Sequence, residues 1–179
     1  MPTAGLRRHP KVTALPHTGS ATHETRHGMG YQFYFATERG RAGYDRYRRD
    51  FAKLIWKLAS PQWQFDDATF ERSAVSFDNP DFVDVTIQSY RHRFRYADGD
   101  PALEPIEQRL AARPTIAAPT IVLHGEANGV RLPDTSAGHA RFFTGPYERR
   151  VIARAGHNLP QEVPEVVTAA ALDLIKATR

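Results

Sequence analysis

Cysteine is absent from the 179 residues, so disulfides, thiol nucleophiles and zinc–thiolate centres are excluded. Lysine is scarce: only Lys11, Lys53, Lys57 and Lys176 carry an amine, and the rest of the 24 basic residues are arginine. No apolar run is long enough to cross a bilayer, so no membrane partner is expected. Residues 1–30 lack the apolar stretch of a secretory leader, and a cytoplasmic compartment is expected. Apart from a short strand candidate at residues 12–15, that segment shows no helical or strand period and reads as an irregular arm.

The chain as a whole has the make-up of one soluble globular domain, with 41% hydrophobic and 25% charged residues. The formal net charge of +4 is a small excess. Arg46, Arg48 and Arg49, and again Arg91, Arg93 and Arg95, alternate with aromatics, as a nucleic-acid face would. Arginine is spread along the whole chain, however, so solvated helix faces are the expectation and no nucleic-acid partner is implied.

Residues 31–113 are patterned as helices. Tyr44, Tyr47, Phe51, Leu54, Ile55 and Leu58 recur on one helical face, and Ser60-Pro61 ends the run. Asp67 is a cap for a short helix carrying Phe70, Ala74 and Phe77. Asn79-Pro80 opens another, with Val83, Ile87, Tyr90 and Phe94 in one stripe. Asp100-Pro101 starts a further helix with Leu103, Ile106 and Leu110 turned inward. At residues 114–179 the pattern changes. Residues 120–123 are a β-branched apolar run, the mark of a buried parallel strand, and residues 147–152 form a second. A helix is expected at residues 137–143 between them, and a closing helix from Pro160 to about Thr178. The expected fold class is thus α/β: a helical unit followed by β-α-β-α. Two parallel strands leave open edges, so the sheet reads as incomplete, with self-association through its exposed core as one consequence.

Two constellations carry possible chemistry. His23-Glu24-Thr25-Arg26-His27 matches the zinc pattern H-E-x-x-H, in which histidines four apart share a helix face. The segment has no apolar face to seat such a helix, Arg26 sets a cation beside the metal, and Gly28 and Gly30 follow at once. No metal or cofactor is therefore expected. The second constellation joins the loop after the first strand, His124-Gly125-Glu126-Ala127-Asn128-Gly129, to the turn after the second, Ala155-Gly156-His157-Asn158. In a parallel sheet both emerge at the carboxyl edge, where active sites gather. An acid in the first loop would orient His157 in the second, with Gly156 permitting the tight turn; a solvent-exposed loop histidine is the alternative.

Residues 119–126, with 155–162 and Pro164-Glu165, resemble the C-terminal end of an α/β-hydrolase, most similar to the epoxide hydrolase and haloalkane dehalogenase branch. Residues 31–113 then resemble its helical cap: Tyr31-Gln32-Phe33-Tyr34-Phe35 is similar to the start of an epoxide hydrolase cap, and Tyr90-Arg91 to its second tyrosine with the following arginine. The likeness spans Tyr31 to about Lys176. It implies a small apolar substrate, His157 as the base that activates water against an ester intermediate, and Tyr34 and Tyr90 as donors to an epoxide oxygen. Tyr90 otherwise packs with Val83, Ile87 and Phe94, and Tyr34 within an aromatic core. The family's acid falls on Asn128, which holds no negative charge; Glu126 and Asp134 lie in the same loop. A strand–elbow–helix nucleophile is expected upstream of Tyr31, and neither Gly43-Tyr44-Asp45 nor Gly19-Ser20 supplies one. The expectation is therefore a hydrolase cap with its base, lacking its nucleophile and inactive alone, or a ligand- or partner-binding module derived from the cap.

Overall fold

The computed structural model describes residues 30–177. The strand candidate at 12–15 and the His23–His27 motif lie outside them. Helix α1 (Gly30–Tyr34) is linked to the long α2 (Glu38–Ala59) through Thr37. The Thr37 hydroxyl donates to the Tyr34 carbonyl at 2.8 Å and accepts from the Gly40 N–H at 2.9 Å, so one side chain closes one helix and caps the next. Helix α3 (Asp67–Ala74) is capped by Asp66, one residue before the expected Asp67. Asn79 turns the chain by accepting from the Asp81 N–H, and α4 (Phe82–Arg93) begins after Asp81. At Asp100 the side chain accepts from the Ala102 N–H and opens a 3₁₀ turn that runs into α5 (Glu104–Ala111).

Strand β1 (Thr120–Gly125) pairs in parallel with β2 (Tyr147–Ile152), in the register Thr120 with Tyr147 through Gly125 with Ile152. Among the described residues this is the whole sheet. Between the strands the expected helix at 137–143 is replaced by two 3₁₀ turns, Pro133–Ser136 and His139–Phe142, with Gly138 between them and Phe143 already extended. The closing helix is broken by Pro164, which cannot donate to the preceding turn, into α6 (Leu159–Glu162) and α7 (Pro164–Ala177).

The helical layer packs around aromatic rings. Phe35, Tyr44, Val83 and Ile87 form one cluster, bordered by Tyr31, Phe51 and Tyr90. Phe70, Ala74 and Phe77 form a second, bordered by Trp56 and Phe65. Phe35 and Phe70 are each 2% exposed, a burial worth about 2–3 kcal/mol per ring. The expected stripe on α2 holds only in part, because non-helical torsions at Tyr47 turn the helix and leave Tyr47, Leu54 and Leu58 exposed. Leu103, Ile106 and Leu110 are also exposed rather than inward. Each arginine cluster is engaged in part: Arg48 pairs with Asp45 and Asp78, Arg49 with Glu71 and Asp78, and Arg91 with Glu38. No described helix is long and apolar enough to cross a membrane.

Candidate active site

The carboxyl ends of β1 and β2 meet in two short loops that clasp one another. The Glu126 N–H donates to the Ile152 carbonyl, and the Ala127 N–H to the Ala155 carbonyl, each at 2.9 Å. Asn128 and His157 therefore lie at the same end of the sheet. Both loops also engage the C-terminal end of α2: the Gly129 N–H reaches the Ala59 carbonyl at 2.9 Å, and the His157 N–H reaches Ser60 Oγ at 2.9 Å.

Ser60 is the hub of this contact and is fully buried. Its hydroxyl donates to Glu162 Oε1 at 2.6 Å and accepts from the backbone N–H groups of His157 and Asn158 at 2.9 and 3.3 Å. Glu162 in turn accepts from the Gly156 N–H at 2.6 Å and the Asn158 N–H at 2.8 Å. A carboxylate receiving several donors while buried in part is a charge-assisted anchor. Gly156 serves this anchor by its size, not by its torsions. No described glycine has positive φ, but a Cβ at Gly156 would fall 2.5 Å from Ser60 Cα. The Ser60 link was not legible in sequence, because it joins residues 102 apart.

The His157 imidazole titrates below its ordinary range. His157 is exposed as a residue, yet the part of its ring turned toward the loops is desolvated, which is the main cause; Arg131 and His124 repel a further positive charge, and Glu162 opposes them. At neutral pH the ring is a free base. Asn128 Oδ1 accepts from the N–H groups of Val130 and Arg131 at 2.9 and 3.0 Å, which fixes the loop. Glu126 accepts from the Arg154 N–H at 3.1 Å, and Asp134 sits exposed on a 3₁₀ turn. Beneath the loop, buried His124 contacts the Arg131 carbonyl through Nε2 at 2.9 Å and Ser136 Oγ through Nδ1 at 3.0 Å. Arg149 donates to the same Ser136 oxygen at 2.8 Å. His124 and Ser136 hold the loop from below.

In the helical layer the tyrosines divide. Tyr34 is 42% exposed and donates to the Arg39 carbonyl at 3.2 Å. Tyr90 instead meets Tyr31: their hydroxyl oxygens are 3.2 Å apart and their rings pack edge to face at 5.7 Å. Gln32, buried beside them, donates to the Tyr31 oxygen at 3.4 Å. Burial, and the Tyr31 hydroxyl next, push the Tyr90 phenol well above its usual pKa, so it keeps its proton throughout the physiological range. Tyr31, not Tyr34, is thus the hydroxyl partner of Tyr90; its ring packs edge to face on that of Phe35, four residues on, a burial that the sequence alone does not show. Among the described residues no group of three His, Asp or Glu is placed to hold a metal.

Comparison with family models and with curated proteins gives no match. Among solved structures the chain is similar to a candidate epoxide hydrolase from Klebsiella pneumoniae subsp. pneumoniae, with 46% identity and a TM-score of 0.80. The likeness covers 87% of this chain and 52% of that one, so the chain spans about half the length of its relative.

Proposed function

We propose that this chain provides the lid and the base of an epoxide hydrolase of the α/β-hydrolase type. The observation that carries the reading is the 46% identity to the Klebsiella protein over 87% of the chain. The geometry supports it through a neutral imidazole at the strand tips and, in the helical layer, two tyrosine hydroxyls 3.2 Å apart, of which Tyr90 keeps its proton. In the proposed reaction a carboxylate nucleophile from outside the described residues opens the epoxide, forming an ester and an alkoxide. Tyr31 and Tyr90 donate hydrogen bonds to that oxygen, and one phenol yields its proton to it. His157 then takes a proton from water, the hydroxide attacks the ester carbonyl, diol leaves with the nucleophile restored, and the proton on His157 returns through solvent to the phenolate. In this scheme Tyr31 replaces Tyr34 as the first donor. The exposed apolar residues Leu103, Ile106 and Leu110 are the surface that the other half of the fold covers, or that a second copy of the chain covers in its absence.

A specific observation favours a second reading, a binding module without turnover. Asn128 spends its side-chain oxygen on two backbone N–H groups, and the carboxylate that bears on His157 is Glu162, itself occupied with backbone donors. The two readings separate in an assay with styrene oxide, diol being followed by chromatography. The chain alone is expected to give no diol above the buffer rate. Supplemented with the unmatched part of the Klebsiella relative as a separate polypeptide, it is expected to form diol at a rate abolished by His157→Gln and reduced by Tyr90→Phe. Saturable binding of styrene oxide with no diol in the supplemented mixture would establish the binding module instead.

A further inference from the structure

We propose that Ser60 and Glu162 are positioning residues for His157, and that through Ser60 the end of helix α2 sets where the histidine turn sits. This rests on the reading of His157 as the base. Three features carry it. Ser60 comes from the helical layer and is fully buried, yet both its hydrogen-bond functions are spent on the other layer: it accepts from the His157 and Asn158 N–H groups and donates to Glu162. Glu162 closes the ring by accepting from Gly156 and Asn158, the residues on either side of His157. Gly156 lies against Ser60 so closely that no side chain fits between them. The three backbone N–H groups of the turn are therefore all fixed by two side chains, one from each layer. A small movement of the α2 end relative to the sheet must displace the imidazole with it, because Ser60 cannot leave without stripping the His157 N–H of its acceptor. The helical layer thereby acts on the base as well as covering it.

The charged and titratable groups bearing on the His157 ring are Glu162 from α6, and Arg131 and His124 from the β1 side. Their signs make the positioning testable without substrate. In the full chain with ¹³C-labelled histidine, Glu162→Gln is expected to lower the His157 titration midpoint by about half a pH unit, since it removes the charge that favours the imidazolium. Glu162→Asp keeps that charge at shorter reach and is expected to restore part of the change. Ser60→Ala is expected to speed amide exchange at His157 and Asn158 about tenfold over the parent, with the exchange of β1 unchanged. Ile87→Val, which loosens the helical core away from the contact, serves as the control for general destabilisation. The proposal is overturned if the midpoint does not fall in Glu162→Gln, if Ser60→Ala leaves those two amides as slow as before, or if Ile87→Val accelerates them equally. None of these readouts involves turnover. Failure of the diol assay and failure of the positioning are therefore distinguishable.

Discussion

Replacing Gly156 with alanine tests whether close approach, rather than turn conformation, demands glycine beside His157. An added Cβ would stand 2.5 Å from Ser60 Cα, 2.7 Å from its Cβ and 2.7 Å from its Oγ. Ser60 has no room to retreat: it is fully buried and its own N–H is bonded to the Trp56 carbonyl at 2.9 Å. Relief requires the end of α2 to withdraw from the turn. Overpacking of this kind costs about 1–3 kcal/mol. Withdrawal also strains the bonds from His157 to Ser60, from Ser60 to Glu162 and from Gly129 to Ala59. Loss of two of them adds about 1 kcal/mol each. The sum is about 3–5 kcal/mol. For a chain of this length that lowers the melting temperature by roughly 6–20 °C. Thermal unfolding followed by circular dichroism measures it directly. Gly138→Ala is the matched control, because its Cβ would meet only the Arg141 guanidinium at 3.6 Å, an ordinary contact. The reasoning is refuted if Gly156→Ala melts within about 2 °C of the parent, or if both variants fall alike.

Three further outcomes follow from the same geometry. The folded chain prefers the neutral His157 ring, so this group's contribution to stability is present above its unfolded pKa of 6.5 and is lost as the pH falls through the lower folded value. Urea midpoints of the parent should fall on acidification more steeply than those of His157→Gln, and parallel curves would contradict this. Asn128→Asp should keep the turn, since a carboxylate oxygen accepts the Val130 and Arg131 N–H groups at least as well, and should raise the His157 titration midpoint; an unmoved midpoint in the NMR titration would mean that the loops do not communicate electrostatically. Arg154 holds a φ of 59°, in the left-handed region where a side chain is strained, so Arg154→Gly should stabilise the chain by about 0.5–1 kcal/mol, and a lowered melting temperature would count against it.

The parallel pair and the turn carrying His157 were legible because each depends on local signals: a β-branched apolar run, a strand end, a glycine before a histidine. Other features depend on relations between segments. The face of α2 shifts at Tyr47, where a single pair of non-helical torsions redirects every later residue, so Leu54 and Leu58 leave the stripe they share by periodicity. The helix expected at 137–143 needed enough residues to repay its nucleation, and Gly138 divides the segment into turns too short for α geometry. Asn128 could be placed at the strand tip, but which atoms its oxygen binds is set by how the loop folds back through Val130 and Arg131. Tyr31 and Tyr34 are both plausible donors by composition, and only the packing of Phe35 separates them.

The distribution of the core explains why polar contacts matter so much at the histidine turn. In the helical layer the buried apolar residues include Phe35, Tyr44, Phe70, Phe77, Val83 and Ile87. In the layer of β1 and β2 those reaching the same burial are Ala155, Leu159 and Ala170, which remove far less apolar surface from water. Apolar packing of this size cannot by itself fix a four-residue turn against its conformational entropy, which runs to about 1–2 kcal/mol per residue. The ordering must come from elsewhere in the described chain, and the candidates with the right reach are the buried hydroxyl of Ser60 and the carboxylate of Glu162, which hold the turn's N–H groups one by one. Geometry at His157 is then borrowed from the better-packed helical layer through a single serine. On this reasoning, mutations that weaken the aromatic clusters should blur the histidine turn only when they shift the end of α2, and not in proportion to the stability they remove.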